Sequence, residues 1–274
     1  MASPLVTISI PTFNSEPFLD LCLDAIEKQT YKNIEVNIID GNSKDRTLEI
    51  AKKRNVRTII EYPGALLEAR YRGLLAARGE YILLLDSDQI LEPDAIERAV
   101  ELAHAKALDM LVLEEDVYRN EKFIEKLFHY DRVLVHAVKD FNPMTSVMLP
   151  RFYKVEQLKR GMGAISQEIR EKVGGQDHAI IYYEMWKITK KIDLLPLAVR
   201  HVEPNSLRAM WKKFYRWGAT SVDAKFGPYE KFLAEKEGFR KGMWTKGLII
   251  ASIASILLLL IKGVPYKFGQ MKRK

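Results

Sequence analysis

The chain has 274 residues, 47% apolar and 29% charged, a balance that supports a packed core and excludes a disordered chain. Its net charge of +7 is unevenly spread: residues 205–274 hold 15 Lys and Arg against 4 Asp and Glu, and residues 1–204 hold 28 against 32. A single cysteine, Cys22, excludes an internal disulfide framework and fits a reducing compartment, and five scattered histidines offer no zinc-type spacing.

Residues 5–10 are β-branched and apolar and predict a first strand ending at Pro11; the first twelve residues lack the basic start and long apolar run of a secretory signal. Asn14 or Ser15 caps a helix with Pro17 in its first turn and Leu19, Cys22, Leu23 and Ile26 at helical spacing. Residues 33–40 predict a second strand, followed by a polar turn over 41–43 and a short helix from Asp45 or Thr47 to Arg54. A third strand is predicted over 56–61 and a helix over 64–78, closed by Gly79. Residues 80–85 (EYILLL) have the continuous apolar character of a strand covered on both faces. Pro93 opens a helix to about Lys106, and 109–113 is a fifth strand. Beyond Asn120 the pattern loosens: 123–138 reads as helical, 146–153 as extended, 165–172 and 177–190 as helical, and about 195–201 as a strand.

Alternating strands and helices of this kind predict an α/β fold with a doubly wound, mostly parallel sheet, in which ligands bind beyond the carboxyl ends of the strands. The unusual polar residues fall at those ends: Thr12, Phe13 and Asn14 after the first strand, Asp40 after the second, and Asp86, Ser87 and Asp88 after the fourth. Two carboxylates at i and i+2 cannot both be buried unpaired. One reading is a solvated turn in which Asp88 caps the next helix. The other is a site for a hard divalent cation, Mg²⁺ or Mn²⁺, bound through carboxylates and substrate phosphates; the position beside Asp40 and Asn14 favours it.

The basic tail (205–274) carries an apolar run over 247–261, uncharged for fifteen residues and bracketed by Lys246 and Lys262. As a helix it rises ~22 Å, short of the ~30 Å hydrocarbon core, and extension to 264 with Lys262 snorkelling brings it nearer. Every face is apolar, which favours a membrane segment over a core helix. Upstream, residues 210–217 (MWKKFYRW) interleave aromatic and basic side chains as the headgroup layer favours. Basic residues at both ends leave spanning and lying in the membrane both open. Nucleic acid is disfavoured as a partner because the same tail carries the apolar run.

Residues 8–14 (ISIPTFN), 39–47 (IDGNSKDRT), Ala69-Arg70, Gly73, Ala76, Gly79-Glu80 and Asp86-Ser87-Asp88 resemble, in order and spacing, the family 2 glycosyltransferases of the GT-A fold, a membrane-associated member in this case. The resemblance is strong over about 5–100 and traceable to about 218. It implies a catalytic domain over 1–204 that binds a UDP- or GDP-linked sugar, with Pro11, Thr12, Asn14, Asp40, Arg70 and Asp86 at the donor and Asp86 and Asp88 at the metal. His201, on a strand similar to the family's His-bearing one, would complete the metal shell. Residues 213–218 (KFYRWG) resemble an Arg-Trp motif near the donor diphosphate and acceptor, implicating Arg216 and Trp217; interfacial anchoring is the rival role for these two.

Val173-Gly174-Gly175-Gln176-Asp177 resembles the family's Gly-Gly-Phe-Asp segment, but the Glu-Asp pair usual seven residues on is Glu184-Met185. The base that deprotonates the acceptor is therefore Glu184 or Asp177, or no strong base is needed. The expected function is metal-dependent, inverting transfer of a sugar from a nucleotide to a lipid-linked acceptor, by a membrane-associated protein with its catalytic part in the cytoplasm. A nucleotidyltransferase is the first alternative, although the loop after the first strand holds no glycine. A catalytically inactive nucleotide-sugar-binding membrane protein, to which Met185 points, is the second.

Overall fold

A computed structural model describes residues 3–137, 140–221, 227–236 and 247–271; Val138 and Lys246, used as boundaries above, lie outside them. One eight-stranded sheet runs in the order β3-β2-β1-β4-β7-β6-β8-β5. Its parallel half consists of β1 (Val6–Thr12), β2 (Ile34–Asp40), β3 (Thr58–Glu61) and β4 (Tyr81–Leu84). The crossovers are α1 (Glu16–Glu27), α2 (Thr47–Lys53) and α3 (Leu66–Leu75). The sequence expectation of a mostly parallel α/β sheet holds here. Of these, β1, β2 and β4 are nearly continuous buried runs, as strands covered on both faces require, whereas the edge strand β3 is only half-buried.

The other half is mixed. After β5 (Gln89–Leu91) and α4 (Ala95–Ala105), β6 (Met110–Val117) pairs parallel with β8 (Ile192–His201). Between β6 and β8 in the chain lie α5 (Phe123–Ala137), β7 (Phe152–Lys154), α6 (Val155–Gly163), α7 (Gln167–Lys172) and α8 (Asp177–Ile188). β7 inserts antiparallel between β4 and β6, and β5 runs antiparallel to β8 at the edge. The extended stretch expected over 146–153 is a regular strand only at β7, and β8 begins three residues before Leu195. The three-residue β5 and the helix α6 were absent from the sequence reading. A strand of three residues leaves almost no period to read.

Two cores flank the sheet. One packs β1, β2, α1 and α4 around Ile8, Leu19 and Ile96; the other packs α3, α6 and α8 around Leu67, Leu158 and Tyr182. Gly73 lets α3 lie directly on β1, since a Cβ there would fall 2.0 Å from Ser9 Oγ. A third cluster, with Phe128, Met210, Phe214 and Leu258, joins α5 to α9 (Leu207–Ser221) and α11 (Ile249–Met271). A short α10 (Glu230–Lys236) lies between α9 and α11 in the chain. The expected apolar segment is thus a helix, extending through Pro265 to Met271.

Candidate functional site

The site is assembled where β1, β2 and β4 end. Register places Thr12 opposite Asp40. Asp40 is fully buried, and its Oδ1 accepts from Thr12 Oγ1 (2.8 Å) and Ser43 Oγ (2.6 Å) while Oδ2 accepts from the Ser43 amide (2.8 Å). Asn14, at φ 50°, accepts the Lys44 amide on Oδ1 and donates its own amide to Ser43 Oγ, both at 2.8 Å. Asn is among the few residues with a side chain that adopt this left-handed backbone readily. The loops after β1 and β2 are therefore laced together. Ser87 Oγ donates to Ser15 Oγ at 2.9 Å, which ties the same loops to the Asp86-Ser87-Asp88 turn. The loops that hold Asp40 and the turn that carries Asp88 are thus hydrogen-bonded to each other.

Asp86 meets two arginines. Its Oδ1 accepts from Arg70 Nη2 at 2.5 Å and its Oδ2 from Arg151 Nη1 at 2.8 Å. Arg70, only 1% exposed, also donates from Nε to Asp177 at the first turn of α8. Arg151 immediately precedes β7, and the pairing of β7 with β4 sets it level with the end of β4. Burial alone would raise the Asp86 carboxyl, but Arg70, Arg151 and His178 outweigh it and hold it well below the usual range. Asp177 is likewise lowered: Arg70 and His178 overcome burial. Burial first, then Arg70 and Arg151, pushes His178 down to about 3. The neutral ring accepts from Arg151 Nη1 at 2.7 Å on Nε2.

Asp88 sits differently. The β5–β8 register sets Gln89 opposite His201, and the Val202 amide donates to the Asp88 carbonyl at 2.8 Å. His201 Nε2 stands 3.5 Å from one Asp88 oxygen and Lys213 Nζ 3.4 Å from the other. His201 Nδ1 is 3.3 Å from Glu203. A carboxylate behind a histidine whose other nitrogen faces a second carboxylate is the usual outer shell of a metal-binding imidazole. Glu203 also accepts from Arg132, which donates at 2.5 Å to Glu115; Glu115 in turn accepts from Arg151 at 3.0 Å. An alternating chain of charges thus links Asp177, Arg70, Asp86, Arg151, Glu115, Arg132, Glu203 and Lys213. Burial opposes the charge on Glu115, yet Arg151 and Arg132 bring it down to about 2. Among the described residues no three His, Cys, Asp or Glu side chains close on one point. Asp88 and His201 fit a cation that takes its remaining ligands from a bound diphosphate. Asp86, expected at the metal as well, has both carboxylate oxygens engaged by guanidinium groups.

The remaining expected residues divide. Pro11 lies on β1 just before Thr12. Glu184 is buried on α8 away from the cluster, accepting from Tyr229 Oη and pairing with Lys187, both at 2.7 Å. Met185 is fully buried in the α3–α6–α8 core. Arg216 is exposed on α9, and Trp217 packs against Phe214 and Tyr266 at centroid distances of 5.7 and 6.0 Å. Neither joins the charged chain, whereas Lys213, a turn earlier, does. The sequence does not single out Arg132, Glu203 or His178, and the acidic run 114–116 after the fifth strand, which could bind acceptor or metal, reads there more simply as a solvated loop. Glu203 had a usable signal, since His201 and Glu203 share one side of an extended segment; Arg132 had none.

The model of glycosyl transferase family 2 matches residues 7–161. An uncharacterized glycosyltransferase, EpsJ, of Bacillus subtilis is 37% identical over 39% of this chain and 33% of its own length. The chondroitin synthase of Pasteurella multocida is 38% identical over 34% of this chain and 10% of its own. The chain thus spans a third or less of these relatives. Among solved structures, a mannosyltransferase from Pyrobaculum calidifontis in complex with GDP-Man and Mn²⁺ matches with TM-score 0.59 and 17% identity, over all of this chain and 85% of that one. S. aureus TarS 1–349 in complex with UDP-GlcNAc matches with TM-score 0.57 and 15% identity, over 98% and 88%. These two show the shared fold. With more than half of the sequence inside the family model and the acidic turn at the end of β4 where the motifs place it, the chain belongs to glycosyl transferase family 2.

Proposed function

We propose that this protein transfers a sugar from a UDP- or GDP-linked donor to an acceptor carried at a membrane, most simply a polyprenyl phosphate or lipid-linked glycan. One observation carries the reading: the laced β1–β2 loops and the Asp88–His201 pair are joined through Ser15 and Ser87 into one region at the strand ends. Relatives of this fold have been solved with UDP-GlcNAc and with GDP-Man and Mn²⁺. Residues 1–204 form the catalytic part and 205–274 the membrane-facing tail, with the catalytic part on the cytoplasmic side.

In this reading Asp40 is a strut that holds the nucleotide loop through Thr12 and Ser43, and Pro11 and Asn14 shape its rim. Asp88 and His201 hold a Mg²⁺ or Mn²⁺ ion, which supplies neutralisation of charge developing on the leaving diphosphate. Arg70 and Arg151 fix Asp86 beside it. Asp177, ionised and joined to Asp86 through Arg70, takes the acceptor proton in this reading, and attack opposite the leaving group inverts the anomeric centre. Glu184, engaged by Tyr229 and Lys187, buttresses α8.

The test is sugar incorporation into a lipid extract from several nucleotide sugars, with and without EDTA. Turnover that survives EDTA removes the metal. Tight UDP or GDP binding with no transfer from any donor selects the inactive, nucleotide-binding alternative.

A further inference from the structure

α11 is 23 residues long, ~34 Å as a helix, and long enough to cross a bilayer. Its two sides are unlike. One side is small and buried: Ala251, Ser252, Ala254, Ser255, Leu258, Pro265 and Gly269. The docking is close along the length of the helix. A Cβ on Gly269 would fall 2.1 Å from the Tyr215 carbonyl oxygen, and one on Gly218 would fall 2.0 Å from that of Tyr266. Halfway along, Ser255 Oγ donates to the buried Asp131 of α5, and Lys262 Nζ lies 3.9 Å from the same carboxylate. The other side is exposed and apolar, with Ile249, Ile253, Ile256, Leu260, Val264 and Phe268 repeating every three or four residues.

A helix crossing a bilayer in this packing would carry α5 and α9 into the hydrocarbon. With them would go Asp131 and Arg132 of α5 and Lys213 of α9, each costing several kcal/mol at that depth. An in-plane helix avoids this. It sinks the exposed stripe into one leaflet and keeps α5 and α9 on the water side. The edge of the stripe is built for headgroups: half-exposed Trp211 packs at a tilt against Phe268 with centroids 5.9 Å apart, and Trp217 contacts Tyr266. Exposed Lys212, Arg216 and Lys267 adjoin those four aromatics in sequence, giving the positive charge that meets an anionic lipid surface.

We propose that α11 lies flat in one leaflet of an anionic bilayer, apolar stripe down, and so docks the catalytic part by its side onto the membrane without crossing it. The inference rests on the membrane attachment in the proposed function and on none of its chemistry. It also sets where the acceptor arrives. α9 carries Trp211 at the lipid edge and, two residues on, Lys213 at Asp88, so a lipid-linked acceptor presents its reactive group at headgroup depth.

The test uses the full chain with phosphatidylcholine–phosphatidylglycerol vesicles. Cys22 is buried and stays in place. Ile253→Cys, Ile256→Cys, Leu260→Cys and Val264→Cys are each labelled with an environment-sensitive fluorophore. Quenching by lipids bearing nitroxide near the headgroup or at the chain end then reports depth. The expected result is one shallow depth at all four positions. A gradient from headgroup to bilayer centre means a spanning helix and overturns the proposal; unquenched labels, whether on a monomer or on a dimer that covers the stripe, overturn it too. Ile253→Glu with Leu260→Glu should weaken vesicle binding by more than about tenfold while leaving the thermal shift produced by UDP and Mn²⁺ unchanged. Sugar transfer measured on the same vesicles separates the two readings: uniform shallow depth without transfer refutes the proposed activity alone, and transfer with a depth gradient refutes this inference alone.

Discussion

Lys213 Nζ stands 3.4 Å from Asp88 Oδ2, across 125 residues of sequence, and 3.6 Å from Glu203. An ammonium group thus rests where a divalent cation is proposed to bind, with the two carboxylates holding its proton more tightly against the opposing effect of burial. Lys213→Met should raise affinity for Mn²⁺ alone by about fivefold, because a positive neighbour is removed, and should weaken nucleotide-sugar binding, because the diphosphate loses a cation. Calorimetry of the metal and of UDP in separate titrations checks both signs. Equal effects in one direction would remove Lys213 from the site.

Asp88→Asn should lower turnover by at least about a hundredfold and abolish the Mn²⁺-dependent part of the UDP thermal shift. The fold should survive, since the Asp88 carboxylate makes contacts of only 3.4 and 3.5 Å and its backbone bond to Val202 is kept. The comparison is turnover against melting temperature for the same preparation.

Arg70 is the buried link between Asp86 and Asp177. Arg70→Met leaves the buried Asp177 without its guanidinium partner and Asp86 with Arg151 alone, and should cost about 3–5 kcal/mol of stability. Chemical denaturation measures it. A loss under about 1 kcal/mol would mean that water already compensates these groups.

The two candidate bases separate by kinetics. Asp177→Asn should reduce kcat by about 10²–10⁴ with little change in donor affinity. Glu184→Gln should leave kcat within a few-fold and act mainly on stability through Tyr229 and Lys187. A reversed pattern would return the role to Glu184.

Acid should unfold the protein in two stages. His178 is held at about 3, below the ordinary 6.5, so the unfolded chain binds the extra proton first and stability is lost as pH falls from about 6.5 toward 3. Glu115, held at about 2 against 4.5, contributes stability that is complete above about 4.5 and lost toward 2, on the order of 3 kcal/mol. Denaturation midpoints from pH 8 to pH 4 should therefore fall, and His178→Asn should flatten the upper part of the curve.

The strands β1, β2 and β4 and the acidic residues at their ends could be read from sequence because buried parallel strands write continuous apolar runs and charges stand out at their ends. Asp88 and His201 were nameable for that reason and from the family pattern. What could not be read was pairing. Nothing local shows that Arg151 and Arg70 share the Asp86 carboxylate, or that Arg132 of α5 bridges Glu115 and Glu203, because these contacts depend on the inserted β7 and on helix packing. The Glu-Met segment drew attention to Glu184 through spacing alone, and only the turn of α8 shows that side chain facing Tyr229. The apolar tail was legible as hydrophobic. Its one-sided docking was not, since small residues on a uniformly apolar helix carry little periodic contrast.

The Asp40 knot has an energetic consequence for whatever enters between the first two loops. With Thr12, Ser43 and Asn14 already engaged, these two loops are tied before a molecule arrives, so association there should forfeit less conformational entropy than it would on untied loops. Cutting the knot by Asp40→Ala charges that entropy to every encounter, and the damage should surface in affinity before it surfaces in the rate of the bound complex.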